Sequence, residues 1–224
     1  MKEMNEAESR PNDSSRSQSQ HDLSIVQVAH GVSPSCRNSR YGHSGGIVWL
    51  TGLPASGKST LAMQLEARLF DLGYACYTLD GDNIRAGLNA NLGFSKSDRS
   101  ENIRRAGEVA ALFADAGLIC IASFISPYQA DRTQARTAAG QSAFHEVHLA
   151  ADLATCEARD PKGMYKKARK GELRNFTGID APFEAPVRPD LVLHTDRESV
   201  TESVDKLVAY ICEQHPMRIS PVAR

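Results

Sequence analysis

The sequence predicts a three-layer α/β fold, in which helices cover both faces of a mostly parallel, five-stranded sheet. Strand-like and helix-like segments alternate along the chain, and such alternation is typical of parallel strands joined by helical crossovers. Segments 47–50 and 118–124 are continuously apolar, as expected of strands that are buried on both faces. The 224 residues are enough for one domain of this kind with a sizeable core.

A glycine-rich loop joins the first strand to the first long helix. It fits the pattern G-x-x-x-x-G-K-[ST], in which backbone N–H groups surround phosphates, the lysine reaches the β- and γ-phosphates and the hydroxyl ligates Mg²⁺. Leu61, Leu65, Leu69 and Leu72 then recur at helical spacing, and Gly73 ends the helix. The loop predicts binding of a nucleoside triphosphate, for which we expect these residues to be used: Gly52, Leu53, Pro54, Ala55, Ser56, Gly57, Lys58, Ser59 and Thr60.

Two acidic residues follow the second strand candidate, 74–79. Asp80 and Asp82 come directly after it, and open α/β sheets bind ligands in the crevice at this end of their strands. Asp-Gly and Asp-Asn are also ordinary turn formers, so a solvated turn is the alternative. Because a phosphate-binding loop precedes them, we favour a place for both carboxylates in the site.

Further elements are predicted from apolar spacing and capping residues, in this order: a helix through 102–116, a strand at 118–124, a helix at 128–138, a strand at 147–150, a helix near 152–158, a strand at 191–193 and a final helix from 199. Residues 83–100 read as irregular, and Ser95 and Asp98 are capping candidates for the helix that follows. Ser199 and Glu202 form a capping box at the last helix.

A basic stretch lies between the fourth and fifth strands. Residues 160–174 are rich in lysine and arginine. One interpretation is a solvated helix. In a phosphate-binding chain whose formal net charge is −1, we favour a lid at about 160–180 whose positive charges close over triphosphate oxygens.

Changes in polarity mark the expected limits of the domain. Residues 1–22 are polar with almost no large apolar side chain, which predicts a disordered tail, with a docking segment as the alternative. Residues 23–45 read as a peripheral lead-in, residues 46–214 as the α/β domain and residues 215–224 as a C-terminal tail.

Composition argues against several other classes of protein. The net charge of −1 gives no support for a nucleic-acid or membrane partner. The five cysteines are scattered without zinc spacing, which fits a reducing compartment. No apolar run has the length of a membrane span, and the N-terminus lacks the apolar core of a secretory signal, so we expect a cytoplasmic protein.

The loop alone does not separate kinases from switches or motors. A GTPase would be expected to show the guanine-specifying motif N-K-x-D, which the sequence lacks. A motor or AAA-type ATPase usually carries an apolar strand that ends in paired acids, whereas the strand at 118–124 is followed by Ile-Ser-Pro. The sequence instead predicts a small-molecule kinase with a P-loop NTPase fold, because two acidic residues follow soon after the loop and an arginine-rich region and a basic lid come later. In such kinases, positioning and charge neutralisation supply most of the catalysis.

Six motifs in order resemble those of adenylyl-sulfate kinases (APS kinases) over roughly residues 43–212: the loop at 52–60, DGDNIR at 80–85 with LGFS at 92–95, DRSENIRR at 98–105, FISPY at 124–128, RDPKG at 159–163 with YKKAR at 165–169, and FTGID at 176–180. The resemblance implies Mg²⁺-dependent transfer of the ATP γ-phosphate to the 3′-hydroxyl of adenylyl sulfate (APS). The products would be 3′-phosphoadenylyl sulfate (PAPS) and ADP, in sulfate activation and assimilation.

The resemblance also implies roles for individual residues. Asp82 would orient the acceptor hydroxyl or accept its proton, while Ser59 and Asp80 would serve the metal and its water shell. Lys58 and Ser126 complete the implied catalytic set; Ser126 is phosphorylated in some relatives, but direct transfer needs no phosphoenzyme. The other implied contacts are with the acceptor, at Arg85, Phe94, Arg99, Asn102, Ile125 and Phe176, and with ATP, at Arg159, Lys162 and Thr195.

The implied acceptor contacts make physical sense. Arginine can pair bidentately with phosphate-like oxygens because its guanidinium is a planar fork, which suits Arg85 and Arg99. Phe94 and Phe176 would sandwich the acceptor adenine, and stacking of this kind is worth about 1–3 kcal/mol per base. Packing within the lid is the alternative role for Phe176.

The chain departs from the family pattern at three places. It has Pro54-Ala55 where relatives commonly have Ser-Gly, Gln129 where arginine is usual, and 150–152 in place of Asp-Thr-Pro. Pro54 removes one N–H donor from the loop. The absence of a positive charge at Gln129 predicts altered acceptor affinity rather than loss of activity.

Two other functions stay open at this stage. A P-loop kinase for another nucleotide or small alcohol is favoured only by Gln129. A nucleotide-binding regulatory subunit without turnover is disfavoured by the intact Lys58, Ser59, Asp80 and Asp82. The resemblance further implies a homodimer, and a sulfate adenylyltransferase is the protein partner to consider.

Overall fold

The computed structural model describes residues 28–218. Residues 28–32 form no helix or strand, and a compact unit begins at Ser33. The tail predicted at 1–22 lies outside the described residues, as do the start of the lead-in and the end of the predicted C-terminal tail. The predicted limits of the α/β domain at 46–214 stay a prediction.

A single parallel sheet forms the middle layer of the described unit. Its strands are β1 Gly46–Thr51, β2 Cys76–Asp80, β3 Ile119–Ser123, β4 Ala143–Leu149 and β5 Leu191–Leu193. Their order is β2-β3-β1-β4-β5, and every neighbouring pair is parallel. The predicted fold class, a five-stranded parallel sheet between helices, is confirmed.

Eight helices accompany the sheet in residues 28–218: α1 Pro34–Tyr41, α2 Lys58–Asp71, α3 Gly81–Arg85, α4 Lys96–Asp115, α5 Gln129–Ala138, α6 Leu153–Arg159, α7 Met164–Arg169 and α8 Val200–Gln214. The predicted capping box at Ser199 is present, because its hydroxyl accepts from the Glu202 N–H and the Glu202 carboxylate accepts in return. Among these helices, none is long and apolar enough to cross a membrane.

Alternate residues of the central strand β1 feed two separate cores. Val48 and Leu50 face the leucines of α2 and the apolar stripe of α8. Ile47 and Trp49 face α4 and α5 on the opposite side of the sheet. All four side chains are completely buried, which is why this segment reads as a continuous apolar run.

The structure corrects the predicted start of the fourth helix. We expected irregular chain over 83–100, but α3 ends only at Arg85 and α4 begins at Lys96. Ser95 is the N-cap of α4 and accepts from the Asp98 N–H at 3.1 Å, so the capping prediction is confirmed. The first turn of α4 is polar, and its apolar face begins later, which hid its start in the sequence.

The fourth strand is longer than predicted. It begins at Ala143 rather than 147, because it pairs with β1 from Gly46 onward. Its early residues His145 and Glu146 are polar but buried, and both are hydrogen-bonded to side chains from other elements. Buried polar groups with partners are stable in a strand, yet they break the apolar pattern.

A histidine directly after α8 joins the segment before β1 to strand β4. His215, directly after α8, lies with its Nε2 2.9 Å from His145 Nε2, and its Nδ1 contacts Ser44. The Tyr74 hydroxyl donates to the His215 carbonyl at 2.9 Å. Gly46 makes room for the ring, since a Cβ there would lie 2.4 Å from a His215 carbon. We call His145, His215, Ser44 and Tyr74 the histidine clasp.

Candidate active site

The phosphate-binding loop lies between β1 and α2, where the N-terminus of α2 opens toward the cavity. Lys58, the first residue of α2, folds back onto this loop. Its Nζ donates to the carbonyls of Gly52 at 2.9 Å and Leu53 at 2.7 Å, and lies 3.3 Å from Ser56 Oγ. Burial lowers the pKa of Lys58 to about 8, against the attraction of nearby acidic groups. The loop carbonyls thus hold the Lys58 ammonium in a place where phosphate oxygens of a nucleotide can attract it.

Oxygen ligands suitable for Mg²⁺ lie beside this lysine. Ser59 Oγ donates to Asp80 Oδ2 at 2.7 Å, while Asp80 Oδ1 accepts from the Asp82 N–H at 3.0 Å and caps α3. Hydroxyl and carboxylate oxygens suit this ion, which usually keeps waters and substrate phosphates as its other ligands. Residues 28–218 contain no cluster of three His, Cys, Asp or Glu side chains that could hold a metal alone. The donor set therefore fits Mg²⁺ bound together with a nucleotide.

The arginines predicted for the acceptor converge on an exposed aromatic ring. The Arg85 guanidinium lies 4.5 Å from the centre of the Phe94 ring, and that of Arg99 lies 5.8 Å away. Arg85 also donates to the Gly93 carbonyl at 3.0 Å, and Arg99 Nε to the Phe94 carbonyl at 3.0 Å. Phe94 is 62% exposed, so one face of the site is open to a stacking partner.

Asn102 is buried beside these arginines. The Asn89 side-chain amide donates to Asn102 Oδ1 at 3.0 Å, which fixes the orientation of the Asn102 side chain. A fixed amide presents its own N–H group in a defined direction, as a specific ligand contact requires.

Ser126 occupies a strained position at the floor of the cavity. Its φ of 38° is left-handed, and its hydroxyl donates to Thr51 Oγ1 at 2.9 Å and accepts from Trp49 Nε1 at 3.1 Å. Thr51 in turn donates to the Ile125 carbonyl at 2.8 Å. The Ser126 hydroxyl is therefore engaged both as donor and as acceptor, an arrangement that suits a structural role better than a free nucleophile.

A buried ion pair supports the Ser126 turn from below. Arg132 is 1% exposed, pairs with Glu146 at 2.6 Å and donates to the Ser126 carbonyl at 2.7 Å. Gln129, where the resemblance to APS kinases implies an arginine, accepts from Arg132 Nη2 at 2.7 Å through its Oε1. Arg132 thus has a neutral acceptor at this position.

The basic segment lies against the site, and its role as a lid stays a prediction. Lys162 forms an ion pair with Asp82, and Arg159 donates to the Thr195 carbonyl. Thr195 Oγ1 donates to the Ser56 carbonyl at 2.8 Å, so two residues predicted to contact ATP lie next to the phosphate-binding loop.

The far end of the lid folds onto the acceptor side. Arg99 Nη2 donates to the Asn175 carbonyl at 2.7 Å, and Nη1 contacts Thr177 Oγ1 at 3.2 Å. Phe176 is buried and meets the Tyr165 ring edge-on, with centroids 4.9 Å apart. In this closed arrangement Phe176 packs within the lid, which is the alternative role considered for it.

One cavity of about 820 Å³ connects these groups. Of the predicted site residues, the following line it: Pro54, Ala55, Ser56, Gly57, Lys58, Ser59, Thr60, Asp80, Asp82, Arg85, Phe94, Arg99, Asn102, Ile125, Ser126, Arg159, Lys162, Phe176 and Thr195. Gly52 and Leu53 do not reach its wall. Gly52 packs against Leu149, and the Leu53 side chain turns toward Gly178 under the lid.

Sequence reasoning missed three residues that organise the site. Trp49 was assigned only to the core, and the direction of its N–H is visible only in the fold. Arg132 carried no motif signal. Tyr165, which donates to the Pro54 carbonyl at 3.0 Å, stood within a recognised motif and could have been singled out as the one aromatic residue of the basic stretch.

Comparisons with known proteins agree on one family. A model of the adenylylsulphate kinase family matches residues 44–194. The adenylyl-sulfate kinase of Oceanobacillus iheyensis is 52% identical over 187 residues, which cover 84% of this chain and 94% of the relative.

Solved structures give the same result. The Mycobacterium tuberculosis APS kinase in complex with AMPPNP and APS is 47% identical, with a TM-score of 0.72 over 75% of this chain and 98% of that one. A hexameric APS kinase from Thiobacillus denitrificans is 30% identical, with a TM-score of 0.59 over 78% of this chain and 30% of that one. The chain belongs to the adenylyl-sulfate kinase family.

Proposed function

We propose that this protein transfers the γ-phosphate of ATP to the 3′-hydroxyl of APS, giving PAPS and ADP. The observation that carries the proposal is the single cavity that joins the phosphate-binding loop to Arg85, Arg99 and Asn102. Its volume of about 820 Å³ lies in the upper range of small-molecule sites. The identity to adenylyl-sulfate kinases over most of the chain supports the choice of acceptor.

ATP would occupy the loop side of the cavity. Lys58 would leave the loop carbonyls for the β- and γ-phosphates, and the backbone N–H groups of the loop and the N-terminus of α2 would surround the phosphate oxygens. Ser59 and Asp80 would hold Mg²⁺, which neutralises charge on the phosphates when bound. Arg159 and Thr195 would contact the base.

APS would occupy the side lined by α3, α4 and the end of the lid. Arg85 and Arg99 would pair with phosphosulfate oxygens, Asn102 would contact the ribose, and Phe94 and Phe176 would contact the adenine. Stacking between the two rings requires Phe176 to turn from its packed position, because it is now only 8% exposed. Ile125 and Ser126 would close the floor of the site.

The transfer itself is a direct displacement in this proposal. The 3′-oxygen of APS forms a bond to the γ-phosphorus as the bond from that phosphorus to the β,γ-bridging oxygen breaks, and ADP leaves. Asp82 orients the hydroxyl and accepts its proton. Lys162, which pairs with Asp82 in the closed lid, would exchange this partner for phosphate oxygens when ATP is bound.

Assembly and location follow from the family only as proposals. We infer a homodimer and a sulfate adenylyltransferase as the protein partner. We also infer a cytoplasmic location, where ATP is present and the cysteine thiols of the chain stay reduced. The one relative whose assembly is named is hexameric, and this chain covers 30% of its length.

Measurement of ADP release tests the proposal against its two alternatives. Purified protein with ATP and Mg²⁺ is expected to release ADP with APS, and not with adenosine monophosphate or without acceptor. Equal release with other acceptors would favour a kinase of different specificity. Binding of ATP without any turnover would favour the regulatory subunit.

A further inference from the structure

One buried side chain touches both halves of the cavity. Tyr165, on α7 within the predicted lid, is 2% exposed. Its hydroxyl donates to the Pro54 carbonyl at 3.0 Å, within the phosphate-binding loop. Its ring meets that of Phe176 at 83°, with centroids 4.9 Å apart. The same residue thus contacts the loop for ATP and a ring on the acceptor side.

A second contact joins these two segments directly. Gly178, two residues after Phe176, has a φ of 92°, and a Cβ there would lie 3.0 Å from Leu53 Cδ2. Leu53 packs against the buried cluster that contains Tyr165 and Phe176. The lid end and the phosphate-binding loop are therefore packed together rather than separated by solvent, and packed groups shift together.

The loop at this contact has a reason to rearrange when a nucleotide binds. The carbonyls of Gly52 and Leu53 now accept hydrogen bonds from Lys58 Nζ, at 2.9 and 2.7 Å. Phosphate oxygens would draw this ammonium away, and the two carbonyls would lose their donor. The affected peptide groups immediately precede Pro54, whose carbonyl is held by Tyr165.

The peptide that Tyr165 holds is also strained. Ala55 has a φ of 58°, in the left-handed region that residues with a Cβ disfavour. The hydrogen bond to the preceding carbonyl fixes this conformation. Burial raises the pKa of the Tyr165 hydroxyl, so the phenol remains a donor over the whole working pH range.

We propose that Tyr165 is a positioning residue that couples nucleotide binding to acceptor binding. The filled loop fixes the Pro54 carbonyl, this carbonyl fixes Tyr165, and Tyr165 then provides a fixed ring against which Phe176 turns toward the acceptor adenine. Bound nucleotide then lowers the ordering cost of acceptor binding, so it tightens the binding of APS. The inference deepens the proposed function and rests on it for the identity of the acceptor.

The dissociation constant of APS, measured by calorimetry with and without saturating AMPPNP and Mg²⁺, tests the coupling. In wild-type protein we expect AMPPNP to tighten APS binding by about fivefold or more. In Tyr165→Phe, which keeps the ring and removes the hydroxyl, we expect this factor to fall to within about twofold of unity, since one net hydrogen bond is worth a factor of about five. APS affinity without nucleotide should change little, because the ring contact with Phe176 remains.

Tyr74→Phe is the matched control. The Tyr74 hydroxyl is also buried and donates to a backbone carbonyl at 2.9 Å, but it lies in the histidine clasp. Both variants should lose similar thermal stability, and only Tyr165→Phe should lose the coupling. An unchanged factor in Tyr165→Phe, a similar loss in Tyr74→Phe, or no tightening in wild-type protein would overturn the proposal. Wild-type protein that binds no APS at all would instead contradict the proposed function.

Discussion

Lys58 illustrates how burial prepares a residue for its role. Its ammonium is enclosed by the loop, and this desolvation lowers its pKa to about 8. The carbonyls of Gly52 and Leu53 satisfy the charge without neutralising it, because they carry only partial charges. The lysine is thus held close to the position where phosphates would arrive, and it is close to losing its proton.

This pKa predicts how nucleotide affinity depends on pH. Binding requires the protonated amine, so the affinity for AMPPNP should fall as the pH rises through about 8. We expect it to be about tenfold weaker at pH 9 than at pH 7, as measured by calorimetry with Mg²⁺ present. Lys58→Ala should bind weakly at every pH, without this dependence. A flat profile in wild-type protein, or the same profile in the variant, would contradict the prediction.

Site residues could be predicted from the sequence only where their residue type and motif spacing indicated their chemistry. The loop, Asp80, Asp82 and the acceptor arginines carry polar side chains at motif spacing, and the cavity brings them together. Trp49 and Arg132 act through N–H groups inside the core, and the directions of these groups depend on packing that no local pattern encodes.

At the scale of elements, the turn at Ser126 depends on support from two neighbouring elements. Arg132 of α5 reaches the Ser126 carbonyl, and Glu146 of β4 neutralises Arg132 in the core. Loss of one partner of such a pair leaves an uncompensated buried charge, which is costly.

Glu146→Gln tests this support. We expect the free energy of unfolding to fall by about 3–5 kcal/mol, because the variant buries the Arg132 charge without its counterion. Urea unfolding followed by circular dichroism measures the loss. The control is Asp205→Asn, which breaks the exposed pair with Arg68 and should cost less than about 1 kcal/mol. Equal losses of unfolding free energy in the two variants would contradict the prediction that the buried pair contributes more stability than the exposed pair.

Element boundaries were predictable where burial followed the apolar pattern. The apolar runs located β1 and β3, and the capping box located α8. The starts of β4 and α4 were missed, since polar residues there are satisfied by distant partners or exposed in a first helical turn. α1 was not predicted within the lead-in, although Ser33 caps it and Pro34 stands in its first turn.

For the whole molecule, the histidine clasp ties the segment before β1 to strand β4 and to the chain directly after α8. His215 and His145 share one hydrogen bond between their Nε2 atoms, so one ring donates and the other accepts. His145 Nδ1 faces the Tyr210 hydroxyl at 3.0 Å, and His215 Nδ1 faces Ser44. Burial lowers the pKa of both histidines, that of His215 to about 4, and their mutual repulsion adds to the shift of His215. Asp190 opposes the shift of His145, and Arg136 reinforces it.

The clasp predicts that the protein loses stability in mild acid. A histidine whose pKa is lowered in the folded state stabilises the fold above its unfolded pKa of about 6.5. This contribution decreases as the pH falls from there toward about 4. Urea unfolding at several pH values from 7.5 to 5 should show that the free energy of unfolding decreases as the pH falls. His215→Gln should be less stable at pH 7.5 but show a shallower slope, and an identical slope would contradict the role of the clasp.

The fate of the ATP γ-phosphate decides whether the molecule acts as an adenylyl-sulfate kinase. ATP labelled at the γ-phosphate is incubated with protein, Mg²⁺ and APS, and the product is treated with an enzyme that removes only 3′-phosphates. We expect wild-type protein to place the label on the 3′-position of APS. We expect Lys58→Ala and Asp82→Asn to place almost none there while remaining folded by circular dichroism. Label found only in inorganic phosphate would contradict transfer to the 3′-hydroxyl, and label transferred equally well by Asp82→Asn would contradict the role of Asp82.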